Sequence, residues 1–175
     1  SHCKVPRRNL EALDRFLAQG GRFTVATGRA HRTFAPYVHL APVNAPVVLS
    51  NGAVLYDFAA GRTVVDLPLP ATAAEDLSAL SREMPGLGIE CYHGDDVYIH
   101  RPNAHTQRHM EKVKTDWTQA DLLEMPTPWS KAVLQADHSL LLQAQAAVRE
   151  RWGDRYEAIF SNAVLLECTA RTASK

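Results

Sequence analysis

The first stretch of the chain follows a helical spacing. Residues Pro6 to Gln19 place Leu10, Leu13 and Leu17 on one stripe with Phe16 beside it, which predicts an amphipathic helix. Pro6 suits its first turn and Gly20-Gly21 its end. Phe23-Thr24-Val25-Ala26 is then a short apolar and β-branched run bounded by glycine on both sides, and it predicts a buried strand. A helix is expected from about Arg32 to Leu40, and a second buried strand over Pro46 to Ser50. Helix, strand, helix and strand at this spacing are the rhythm of a parallel α/β sheet.

From Ala53 the rhythm changes. Ala53 to Tyr56 and Arg62 to Leu67 are β-rich runs around a turn at 57–61, predicting a hairpin. Pro68 and Pro70 mark a domain junction. Beyond it come a helix over 71–83 and a hairpin of 87–93 with 96–101 around Gly94-Asp95. Asn103 caps a helix reaching about Thr115. A strand follows over 131–136, a helix over 138–152, and strands over 155–160 and 164–168. Leu140-Leu141-Leu142 with Ala146-Ala147 predicts the core face of that last helix. This second lobe reads as α+β with mostly antiparallel pairing.

Composition narrows the class. Apolar residues make up 46% and charged residues 22% of 175, as in a globular protein. Formal charge is zero, 19 basic against 19 acidic residues, and the basic ones are scattered. A nucleic-acid partner needs clustered Lys and Arg, so none is expected. No apolar run approaches the ~18 residues of a membrane span, so no membrane partner is expected either. Cys3, Cys91 and Cys168 are sparse and show no paired spacing, which suits idle thiols in a reducing cytoplasm.

Candidate chemistry gathers where the first lobe's strands end. Ligands of open parallel sheets bind outside the carboxyl ends of the strands. Two consecutive strands here end in small polar clusters, Thr27-Gly28-Arg29 and Ser50-Asn51-Gly52. A threonine hydroxyl, backbone N–H groups and an arginine fork suit phosphate or carboxylate oxygens. Strand-ending glycines and a capping threonine account for the same residues, and both readings stand at this point. His31 lies within reach of this loop, although a histidine that merely starts a helix explains it as well; His39 lies near by. His105 and His109, four apart on a helix, have metal-ligand spacing, but no third ligand falls at a matching interval, so a solvated face is expected. Cys91, His93 and His100 could converge across the second hairpin. Trp117, Trp129 and Trp152 fall at element ends, as packing anchors do. No glycine-rich nucleotide loop is present.

The ordered series Phe23-Thr24-Val25-Ala26-Thr27-Gly28-Arg29, Pro46, Asn51-Gly52-Ala53, Tyr56-Asp57, then Leu165-Leu166-Glu167 and Ser174-Lys175 resembles the Cof-type branch of the haloacid dehalogenase-like (HAD) hydrolases. The resemblance covers the whole chain. It implies an α/β fold: a partial Rossmann-like core with a parallel sheet over 1–68, to which 169–175 return, and an inserted α+β cap of antiparallel strands and helices over 69–168. It also implies a phosphatase acting on small phosphorylated metabolites through an aspartyl-phosphate, with Mg²⁺ neutralising phosphate charge. By position in the motifs, Thr27 would hold a phosphoryl oxygen and Lys175 would offset negative charge. Gly28, Arg29, Asn51 and Gly52 would form the substrate rim.

One departure is large. The family's Asp-x-Asp-Gly-Thr run, which supplies nucleophile and acid/base, occurs nowhere in these 175 residues, nor does its acidic metal motif. Gly94-Asp95-Asp96 is an echo of the latter on a hairpin turn, where Gly and Asp are ordinary. A chain truncated at both ends is therefore expected, itself inactive, with the metal ligands in the full-length parent. A non-catalytic phosphometabolite-binding or interaction protein on the same fold is the alternative.

Overall fold

A computed structural model describes residues 5–173. The chain divides into two compact units, one up to Asp66 and one from Leu67.

The first unit begins with helix α1 (Arg7–Ala18). Gly20 closes it at φ 84°, a left-handed position natural to glycine, and donates to the Leu17 carbonyl at 2.9 Å. An added Cβ on Gly21 would lie 2.4 Å from the exposed Phe16 ring, which would have to move aside. Segment 23–27 then runs extended beside strand β1 (Val47–Leu49). The expected buried strand at Phe23–Ala26 is not formed: a single parallel bridge joins Ala26 to Val48, and Phe23 and Val25 are only half-buried. Among the described residues only the 44–51 segment pairs with it, which leaves its other edge without a ladder. The helix expected from Arg32 to Leu40 is also split. It consists of one α-turn, α2 (His31–Phe34), followed by a 3₁₀ segment over Ala35–Leu40. Pro36 lacks the N–H that would continue the α ladder, so the winding changes there.

Val47 and Leu49 of β1 are buried with Phe34. β1 pairs antiparallel with β2 (Val54–Asp57), and β2 with β3 (Arg62–Asp66), giving the order β1-β2-β3. The parallel component of the α/β fold is carried by 25–27 against β1, and the hairpin adds the antiparallel one.

The second unit is a six-stranded sheet. Its elements are α3 (Ala73–Glu83), β4 (Gly88–His93), β5 (Asp96–His100), α4 (Ala104–Val113), β6 (Thr118–Gln119), β7 (Lys131–Gln135), α5 (His138–Trp152), β8 (Tyr156–Asn162) and β9 (Leu165–Ala170). The order is β6-β5-β4-β7-β9-β8, antiparallel apart from β5 with β6. Two-residue β6 carries no alternating pattern and has no counterpart in the sequence reading. β9 runs to Ala170, two residues past the expected end.

Strand alternation sends Ile89, Cys91, Ala132, Leu134, Leu166 and Cys168 to one face, where they form a core with α3 and α5. α3 contributes Leu77 and Leu80; α5 contributes Leu141, Ala144 and Val148. The buried stripe of α5 thus differs from the expected one, because Leu142 is 49% exposed and Ala146 faces solvent. A helix presents positions three and four apart to a neighbour, so consecutive leucines cannot all face inward. The opposite face carries polar groups. Fully buried Glu90 accepts hydrogen bonds from the Tyr92 hydroxyl at 3.1 Å and from Gln135 Nε2. Lys131 bonds Glu167 at 2.9 Å and lies 4.7 Å from the centre of the Tyr92 ring.

Asn103 caps α4 as expected. Its Oδ1 accepts from the N–H groups of His105 and Thr106, and the Thr106 hydroxyl accepts from the Asn103 N–H. Its Nδ2 also donates to Gln135 O at 2.9 Å, tying the helix start to β7.

The stripe of α5 leads to a direct test. Leu141→Ala should destabilise the second unit by about 2–5 kcal/mol, whereas Leu142→Ala should cost less than ~1 kcal/mol. Denaturant unfolding monitored through tryptophan fluorescence separates them, and equal losses would contradict this packing.

Candidate functional site

The two polar clusters read from the sequence meet in the first unit. The Val48 N–H donates to the Val25 carbonyl at 3.0 Å and the Thr27 N–H to the Val48 carbonyl at 2.9 Å. Segment 25–27 and β1 therefore end side by side. Beyond this point the loops cross-link: the Ser50 N–H donates to Arg29 O at 2.9 Å, and the Asn51 N–H to Thr27 O at 3.2 Å. The Arg29 N–H donates to the Thr27 hydroxyl oxygen at 3.2 Å, which leaves the hydroxyl proton for another acceptor.

The second loop achieves this by turning left-handed. Ser50, Asn51 and Gly52 have φ of 49°, 59° and 101°. Asn tolerates that region and Gly favours it; for Ser50, buried to 1% exposure, the surroundings must impose it. Gly28 lies in close approach to the second loop: a Cβ there would come within 2.8 Å of Asn51 Oδ1 and would displace that amide. Thr27, Gly28, Arg29, Asn51 and Gly52 are thus neighbours. Lys175 lies outside the described residues.

Arg29 is the charge of this cluster. Its guanidinium carbon sits 4.8 Å from the centre of the Tyr37 ring, and among the described residues no carboxylate pairs with it. Sequence reasoning missed Tyr37, since nothing in its spacing sets it apart. His31 stands at the start of α2. Its ring lies 4.2 Å from Tyr56 and 5.5 Å from Phe58, within an aromatic cluster. His39 is exposed.

The histidines of the second unit are also placed differently from expectation. His109 is not a solvated chance residue: its Nδ1 lies 2.9 Å from buried Glu90, a carboxylate on another element. His105 Nε2 lies 3.2 Å from Asp137. Cys91, His93 and His100 do not converge. His93 Nδ1 meets the Pro128 carbonyl at 2.8 Å, and His100 Nε2 meets Ser81 Oγ at 3.0 Å, with Asp121 3.6 Å from its Nδ1. No group of three metal-ligating side chains occurs among the described residues. Trp129 and Trp152 are buried anchors, but Trp117 is 37% exposed. Gly94 forms the hairpin turn at φ 56°.

Two cross-linked loops, one carrying Thr27, Gly28 and Arg29 and the other Asn51 and Gly52, thus meet where segment 25–27 and β1 end. The chain belongs to the haloacid dehalogenase-like hydrolase family, which it matches over residues 1–175, and its motifs are those of the Cof-type branch. It is 28% identical over 100 residues to pyridoxal phosphate phosphatase YbhA of Escherichia coli K12, covering 57% of this chain and 36% of that protein. A haloacid dehalogenase-like hydrolase from Bacteroides thetaiotaomicron superposes with a TM-score of 0.81 at 19% identity, covering 97% of this chain and 66% of its own. The subclass IIB sugar phosphatase BT4131 does so at 0.76 and 13%, covering 98% and 65%. The chain therefore spans less than two thirds of these relatives' lengths.

Burial outweighs the attraction of Asp121 and lowers the His100 pKa below its ordinary value of 6.5. The unfolded chain then takes up this proton before the folded one does. Stability from this group is full above 6.5 and declines as pH falls towards the folded pKa. As pH falls below 6.5 the second unit should lose stability, and His100→Gln should flatten that slope. Urea unfolding across this range checks it; an unchanged slope in the variant would assign the loss to other groups.

Proposed function

We propose that this chain supplies the phosphate-holding loops and the cap of a phosphatase acting on small phosphorylated metabolites. The observation that carries the reading is the convergence of Thr27-Gly28-Arg29 with Ser50-Asn51-Gly52, with a guanidinium that no described carboxylate neutralises. The Thr27 hydroxyl would donate to a phosphoryl oxygen, Arg29 would offer its fork to the same group, and Lys175 would offset negative charge. Gly28, Asn51 and Gly52 would let the backbone come close. Residues 69–168 would serve as the cap, with 169–175 returning to the core. The relatives support the substrate class: one is named a pyridoxal phosphate phosphatase and another a sugar phosphatase.

Reaction through an aspartyl-phosphate would need carboxylates that these loops lack. The same holds for Mg²⁺, which prefers several oxygen donors with carboxylates among them. Thr27 and Asn51 offer one neutral oxygen each beside a cation, so these loops do not by themselves form the metal site. A phosphometabolite binder without turnover, using the same loops, is the second reading. A cytoplasmic setting is supported by Cys91 and Cys168, which are buried and unpaired. Burial pushes the Cys168 thiol up to about 12, leaving it unreactive. Among the described residues no helix is long and apolar enough to cross a membrane.

Aryl-phosphate hydrolysis with Mg²⁺ tests the proposal. A longer protein that contains this chain together with the aspartate motifs should turn over, this chain alone should not, and Thr27→Ala in the active form should lower kcat/KM about a hundred-fold. Turnover by the isolated chain would overturn this placement of the chemistry. Inactivity of every longer form, with phosphate still bound, would establish the binder.

A further inference from the structure

We infer that Tyr37 is a positioning residue for Arg29, its ring holding the guanidinium over the anion loop. The inference rests on the reading of that loop as a phosphate site and adds a residue that the family motifs do not contain.

Arg29 is fixed at its backbone, through its N–H to Thr27 Oγ1 at 3.2 Å and its carbonyl to the Ser50 N–H at 2.9 Å. Nothing in that backbone fixes the four side-chain torsions beyond it. Arginine in a folded protein is commonly held by a carboxylate, which occupies the same donors a ligand would need. Here no described carboxylate does so, and the contact is instead with a ring, 4.8 Å from guanidinium carbon to ring centre. Attraction between a cation and the face of a ring leaves the N–H edge of the guanidinium available, so the side chain is restrained with its donors unspent.

Tyr37 has no other evident task. It is 37% exposed, so it contributes little to the core. Among the described residues it stacks with no other ring, in contrast to the cluster of His31, Tyr56, Phe58 and Phe34, and its hydroxyl makes no hydrogen bond. It stands on the 3₁₀ segment Ala35–Leu40 directly after Pro36, whose fixed φ sets the course of the turn that carries the ring. Alternative anchors for Arg29, an acidic side chain or a second ring, are missing from the described surroundings. The ring is what remains to orient it.

Inorganic phosphate titrated into the full chain by calorimetry, with thermal unfolding as control, tests this. Tyr37→Phe keeps the ring face and should bind as the unsubstituted chain does. Tyr37→Leu should bind about two- to five-fold more weakly with unchanged unfolding. In an Arg29→Ala background, Tyr37→Leu should add nothing. The inference is overturned if Tyr37→Leu binds normally while Arg29→Ala binds weakly, if Tyr37→Phe is as impaired as Tyr37→Leu, or if the leucine loss persists without Arg29. If Arg29→Ala binds normally, or the unsubstituted chain binds no phosphate, the anion-site reading itself fails.

Discussion

The parallel contact at Val48 places the candidate site. Its N–H and carbonyl hold Val25 and Thr27, so two segments separated by twenty residues of chain stop at one level. Everything proposed for the first unit depends on that alignment. The loop after Ala26 and the loop after Leu49 can exchange hydrogen bonds only because their strands end together, and only small or left-handed residues fit where they cross. Without this pair of bonds, Thr27, Arg29 and Asn51 would be three unrelated polar residues.

The second unit solves a different problem. Its sheet has one apolar face, covered by two helices, and one face that carries charged and polar groups at alternate positions. Burying Glu90 is costly unless it is satisfied, and Tyr92, His109 and Gln135 do so from three different elements. The lysine and glutamate on the neighbouring strands are likewise paired. Asn103 adds a cross-tie from the start of α4 to the end of β7.

Much of this was legible in the chain. Helical spacing located α1, the run after the proline junction was read as α3 and the leucine- and alanine-rich run as α5, a capping residue located α4, and turn residues located both hairpins. Thr27-Gly28-Arg29 and Asn51-Gly52 were legible because strand-ending glycines and hydroxyls are local signals. What stayed hidden depends on contacts made across the fold. Phe23–Ala26 has strand composition, yet a strand needs a ladder, and sequence does not show how many neighbours a run will find. The leucine triplet of α5 gave no choice among its members until the sheet selected Leu141. Glu90 and His109 are nineteen residues apart, and Tyr37 and Arg29 are eight apart across a proline; no spacing rule joins either pair.

Glu90 has a further consequence for assembly of the sheet. It lies opposite Val133 on β7, with Ile89 and Cys91 on either side pointing to the apolar core. A slip of β4 by one residue would exchange the faces, sending the carboxylate and Tyr92 among Leu77, Leu80 and Leu141 and parting Glu90 from His109 and Gln135. The penalty for burying an unpaired carboxylate there would be several kcal/mol. A residue outside the proposed chemistry thus acts as an alignment key, rejecting a misthreaded strand that leucines and isoleucines alone would tolerate.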